Sequence, residues 1–248
     1  EYGLMLEPQD AKGDVRRIPV QGAGFYADPK WSPDSKKISF SDNSRTIYIL
    51  DVASGSQTKV SSDPIYGPDP VLQHAWSPDS RYLAYTRNTL TYFNRLYIYS
   101  VSEGKSYAVS DGLADVRSPV FDASGKYLYF LASTDAGPLN DWFSQSNADM
   151  RTVEQVYLAV LAKGVPSPLA KESDEELADS KKGDGDKKGD EKKDEKKDEK
   201  KAVRVTFDPE GLSNRILALP TPAGHYEDLS SGAANQIFYA RAASTDPD

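Results

Sequence analysis

Two copies of Trp-Ser-Pro-Asp-Ser, at Trp31–Ser35 and Trp76–Ser80, stand 45 residues apart, and Phe121-Asp122-Ala123-Ser124-Gly125 follows at the same spacing. The register extends past the motif. Ile38, Leu83 and Leu128 keep the interval, as do Phe40, Tyr85 and Phe130, and a basic residue recurs at Lys36, Arg81 and Lys126. A repeat of this length, holding several short strands, matches one blade of a β-propeller. A single small sheet cannot bury both of its faces, so each unit needs neighbours. The chain is therefore expected to be all-β, an incomplete β-propeller of four-stranded antiparallel blades, and any function belongs to an array.

Local chemistry agrees with that reading. Pro33 presets φ for a turn, Asp34 is placed to accept a backbone N–H, and Ile38 and Phe40 then alternate with polar Lys37, Ser39 and Ser41. Strands are predicted at 28–31, 37–41, 46–52 and 58–61 in the first full repeat. The second repeats the plan with 82–86, 95–101 and 107–110, and Gly104 matches Gly55 at a hairpin. The third has 126–131 and resumes at Val156-Tyr157-Leu158 after a long excursion, Ser133 to Thr152. Upstream, 2–6 and 15–20 read as the last two strands of a blade, so the reading places both ends of the chain inside blades.

After Gly164 the pattern gives way to Pro166-Ser167-Pro168, an acidic stretch, and a tract from Lys181 to Lys201 with ten Lys against eight Asp plus Glu. Such a segment has no apolar surface to offset the entropy of ordering, so a disordered charged insertion is expected. Strand patterns return at 203–207, 215–219, 226–230 and 236–240. The domain reading is thus blades over 1–165, a Pro/acidic and Lys/Asp/Glu-rich linker over 166–202, and continuing propeller strands over 203–248.

Charge limits the partners. The formal net charge is −8, and outside the mixed tract the acidic excess is larger still. That disfavours phosphate neutralisation and anionic membrane binding, so neither nucleic acid nor membrane is an expected partner. No apolar run is long enough for a spanning helix. The absence of Cys removes disulfides and thiolate metal sites and is compatible with a cytosolic or an exported home.

The repeated turn with its alternating strand resembles the blade motif shared by Tol-system propellers, dipeptidyl peptidase propellers and tricorn proteases. A narrower resemblance, to bacterial tricorn protease homologues, rests on three segments in order: Trp31 to Asn43, Tyr157-Leu158-Ala159-Val160-Leu161 running into Pro166-Ser167-Pro168-Leu169-Ala170, and Arg215-Ile216-Leu217-Ala218-Leu219-Pro220-Thr221-Pro222. It implies a propeller segment of a large serine peptidase, a hydrolase of the cytoplasm, whose catalytic residues belong to a later domain. Its implied partners are peptides, the remaining domains of the parent and, with open sheet edges, further copies of the chain. Two other readings remain: a stand-alone Tol-type scaffold that binds proteins, and the propeller of a prolyl-oligopeptidase-like or dipeptidyl-peptidase-like enzyme, with periplasm or export as the other compartments. The Asp122-Ala123-Ser124-Gly125 turn and the Lys-rich tract depart from the family pattern.

Candidate chemistry is sparse. Imidazole is available only at His74 and His225, and neither lies in a nucleophile or metal motif. Gly183-Asp184-Gly185 has no strand before it and is no phosphate loop. Asp34 and Asp79 belong to the repeated turn, where capping explains them better than calcium does. Trp31, Trp76 and Phe121 read as packing between sheets rather than as a stacking surface. No catalytic, cofactor-binding or metal residue is assigned. The insertions at Asn88–Asn94 and Ser133–Thr152 are the expected contact surfaces, because insertions leave a repeat frame intact and gather at its faces.

Overall fold

In the computed structural model the described residues are 3–22, 24–65, 72–134, 153–169 and 203–242. Excursion residues 135–152 and the Lys-rich tract lie outside them. Among the described residues sixteen strands form three four-stranded antiparallel sheets and two half-sheets. Blade 1 is β3 (Tyr26–Trp31), β4 (Lys37–Asp42), β5 (Thr46–Asp51) and β6 (Gln57–Ser62). Blade 2 is β7 (His74–Trp76), β8 (Tyr82–Asn88), β9 (Asn94–Ser100) and β10 (Lys105–Ala108). In blade 3, β11 (Asp115–Phe121), β12 (Tyr127–Ser133) and β13 (Gln155–Val160) are joined by β14 (Ile216–Ala218), which arrives only after a long detour. The half-sheets are β1 (Gly3–Leu6) with β2 (Arg16–Pro19), and β15 (Tyr226–Ser231) with β16 (Ile237–Arg241). The chain is an all-β segment of a propeller, as the repeat requires.

Each seam between sheets is filled by the residues that alternate along the strands. Ile47 and Ile49 of blade 1 meet Trp76, Leu83 and Tyr85 of blade 2. Leu96 and Ile98 then meet Phe121, Leu128 and Phe130 of blade 3, whose far face packs Leu131 and Leu158 against Tyr226 and Leu229. Second strands are buried on both faces, which is why Tyr127–Ser133 is buried throughout. Each full burial of such a side chain is worth about 1.5–3 kcal/mol.

The Trp-Ser-Pro-Asp-Ser turns form latches as well as corners. Ser32 Oγ accepts from the Lys37 N–H at 2.9 Å and donates to Asp34 Oδ1 at 2.6 Å, and Ser77 with Asp79 repeats the pattern. The Asp34 N–H then donates to Ser80 Oγ in the next blade at 3.0 Å. In the third turn the roles are exchanged. Ser124 donates to Asp122, and the free oxygen of Asp122 accepts the Asn235 N–H of the following half-sheet at 2.7 Å. Ser35, Ser80 and Gly125 take positive φ, 57°, 61° and 72°, and so does Asn235 (64°) in the β15–β16 connection, which is one residue shorter and closes instead with the Gln236 N–H on the Ala233 carbonyl.

Residues 203–207, expected as a strand, pair with no strand among the described residues. Their alternation is real: Val205 is buried and Phe207 half-buried, while Arg204 and Thr206 are exposed. The apolar side is satisfied between blades 2 and 3 rather than in a ladder. On the opposite rim, Asp63 closes the seam between blades 1 and 2. Its fully buried carboxylate meets Arg45 Nη2 at 2.5 Å and accepts from the Asn88 N–H at 3.0 Å and Asn88 Nδ2 at 2.9 Å.

Candidate functional site

Four successive innermost strands, β3, β7, β11 and β15, line a concave cleft of about 700 Å³. Three of them carry a bulge. Their register slips between Ala27 and Lys30, Arg117 and Val120, and Glu227 and Ser230, and each slip holds one residue in the left-handed region: Asp28 (φ 52°), Ser118 (φ 54°) and Asp228 (φ 51°). A bulge bends its strand and re-aims its side chains, so the repeat turns a short polar residue at the same place in three blades.

Polar side chains tie these strands together along the wall. Lys30 Nζ bridges Asp28 Oδ2 at 2.9 Å and the His74 carbonyl at 2.8 Å, and Trp76 Nε1 donates back to the Lys30 carbonyl at 3.1 Å. Gln73 Oε1 accepts the Ser118 N–H. Arg117 makes a bidentate pair with buried Glu154 and also reaches the Tyr226 carbonyl. The cleft thus combines paired charges with exposed Trp31, Glu227 and Asp228. It can contact an extended chain through amide, charged and aromatic groups.

His74 is part of the wall. Its Nδ1 donates to the Leu72 carbonyl at 2.9 Å, which makes Nδ1 the protonated nitrogen, and among the described residues buried Nε2 has no hydrogen-bond partner. Burial, the largest influence, pushes its pKa below the usual 6.5. The Lys30 ammonium acts in the same direction, whereas the Leu72 carbonyl and Asp28 oppose it. An unfolded chain takes up a proton near pH 6.5 that the folded site resists. Stability from this group is present above that pH and is lost as pH falls below it. Unfolding free energies measured from roughly pH 7.5 to 5 should decline for the native chain, with a flatter profile for His74→Gln. An unchanged slope in the variant would remove His74 as the cause. His225 is exposed, 3.5 Å from Glu227 Oε1.

The remaining sequence candidates separate. Asp34 and Asp79 give their oxygens to hydroxyl and backbone N–H groups of the turns, and Asp79 Oδ2 also takes the Val205 N–H. Trp76 and Phe121 are seam residues, 9% and 5% exposed, but Trp31 is 50% exposed, which corrects the expectation that all three pack alike. Trp76 packs with Ile47 and Ile49 of blade 1 and Phe121 with Leu96 and Ile98 of blade 2, whereas Trp31 lines the cleft and takes no part in the cluster that joins Ile18 to Ile38 and Phe40. The Asn88–Asn94 connection leaves Leu90 and Tyr92 exposed at its tip. Glu154, Gln73 and the bulge residues were not legible beforehand, since none belongs to the repeated motif.

The family model for the tricorn protease second beta propeller domain matches residues 2–246. The chain belongs to this family. A putative tricorn-like protease C-terminal subunit from Sulfurisphaera tokodaii is 25% identical over 226 residues, 91% of this tricorn-family chain but 23% of the relative. The crystal structure of the tricorn protease superposes with a TM-score of 0.61 at 16% identity, over 88% of this chain and 19% of that one. TolB from Acinetobacter baumannii gives 0.44 at 18% identity, over 66% and 36%. The chain therefore spans about a fifth of the length of the tricorn relatives it matches. Among the described residues no helix is long and apolar enough to cross a membrane.

Proposed function

We propose that this chain is a non-catalytic propeller segment of a tricorn-like serine peptidase, framing or gating peptide access to a catalytic domain outside these 248 residues. The cleft carries the reading. Four consecutive inner strands bring Lys30, Gln73, Arg117 and Asp228 with the exposed face of Trp31 onto one wall, and a rigid blade frame holds them there. A wall with paired charges and spare amide and aromatic surface contacts many peptide sequences without holding any tightly, as a route into a peptidase requires. Hydrolysis belongs to the parent, as do its partner domains, its assembly and its cytoplasmic setting.

The test uses the full-length parent with Glu227 and Asp228, both exposed, changed to Arg. Values of kcat/KM for peptides of about ten residues should change at least fivefold or so, while a single-residue chromogenic substrate is cleaved as before. Equal effects on both substrates, or none on either, would end the access role and favour a purely structural frame.

A further inference from the structure

The seam between blades 2 and 3 is closed by a strap rather than by blade-to-blade contact alone. The strap lies in the connection from β13 to β14, beside turns that elsewhere latch directly to one another. Where Ser80 accepts the Asp34 N–H, the third turn has Gly125, and a Cβ added there would stand 2.9 Å from Val205 Cγ2 and 3.1 Å from Val203 Cγ1. The departure from the repeat motif is therefore the notch that admits the strap.

The contacts have the form of short-peptide recognition. Asp79 Oδ2 accepts the Val205 N–H at 2.8 Å, and Arg81 Nη1 donates to the Val205 carbonyl at 3.4 Å, so one residue's backbone is held at both polar groups. The Val205 side chain is 1% exposed in the notch. Two positions on, the Phe207 ring meets Tyr82 and Tyr107 edge-on, with centroids 5.5 and 5.6 Å away. Arg204 and Thr206 point outward. Backbone clamps supply affinity and alternate-residue pockets supply selectivity, the logic by which extended peptides dock.

We propose that this seam is a binding site for an extended segment with Val at one position and Phe two positions later, and that residues 203–207 occupy it in cis as an exchangeable self-ligand. The anchor is short. Asp208 donates its N–H to the Leu161 carbonyl at 2.9 Å and accepts the Lys163 N–H at 2.7 Å. A tether that short gives an effective concentration of about millimolar, so an added peptide competes poorly until the strap is weakened. The site is separate from the inner-strand cleft, and its test does not depend on that reading.

The experiment empties the seam in the 248-residue chain with Val205→Gly and Phe207→Ala together. The probe is a fluorescently labelled synthetic peptide of residues 203–209. It should bind the emptied chain with a Kd of roughly 10–100 μM, and the native chain at least about tenfold more weakly. Replacing Phe by Ala in the peptide should cost about tenfold or more. Absence of binding to a variant that keeps its near-ultraviolet circular dichroism overturns the proposal. Should the variant unfold, amide exchange in the native chain decides. The Val205 N–H should exchange at least about tenfold faster than the Leu83 and Leu128 N–H groups, because an exchangeable ligand opens without the frame. Equal rates would make the strap part of the cooperative core and sink the idea.

Discussion

Asp63→Ala should destabilise the chain by about 3–5 kcal/mol, the usual cost of stranding one member of a buried ion pair. Asp63 is fully buried at its side chain and Arg45 is 6% exposed, so water cannot replace the lost carboxylate. The Asn88 N–H and amide, which donate to the same carboxylate, would lose their acceptor as well. In a domain of this size a loss of that order lowers the thermal midpoint by roughly 10 °C or more. Chemical denaturation measures it directly. The double variant Arg45→Met with Asp63→Leu should recover part of the stability, because it removes the stranded guanidinium but still leaves the Asn88 N–H and amide without their acceptor. A loss below about 1 kcal/mol for the single change would mean that solvent reaches the pair and that this rim of the seam is loose.

Truncating the three equivalent aromatics should give unequal results. Phe121→Ala is expected to cost about 3–5 kcal/mol, since Phe121 is 5% exposed and fills the seam with Leu128 and Phe130. Trp76→Ala should cost at least as much, because the indole N–H also holds the Lys30 carbonyl across a blade boundary. Trp31→Ala should cost no more than about 1 kcal/mol, as half of Trp31 is already in water. Denaturation of the three variants under one condition checks the order. Equal costs would show that the position acts through its own turn, not through the neighbouring sheet.

The prediction for Trp31 marks the limit of repeat reasoning. Identical pentapeptides at Trp31–Ser35 and Trp76–Ser80 fold into the same turn with the same Ser-Asp hydrogen bonds, because every partner lies within five residues. Burial of the leading Trp is not local. It depends on which sheet the preceding part of the chain supplies, and nothing in the pentapeptide records that. The strand pattern at 203–207 misled for the same reason. Alternating Val205 and Phe207 is what a half-buried extended segment needs, and a ladder and an inter-blade notch satisfy it equally well. The cleft was less legible than the frame, since Gln73, Glu154 and the bulges at Asp28, Ser118 and Asp228 lie outside the repeated turn.

By itself the amino-acid order determined the periodic part of this protein: the blade unit, its turns, the alternation along its strands and its membership in a propeller array. Those features arise from contacts between near neighbours, repeated at a fixed interval. The tertiary structure alone decided that Gly125 makes room for Val205, that Asp63 serves Arg45 and Asn88, and that Arg117 joins Glu154 to Tyr226. Each of those contacts joins segments far apart along the chain, and its strength comes from exclusion of water where sheets meet, a property of the assembled blades that no local sequence pattern encodes.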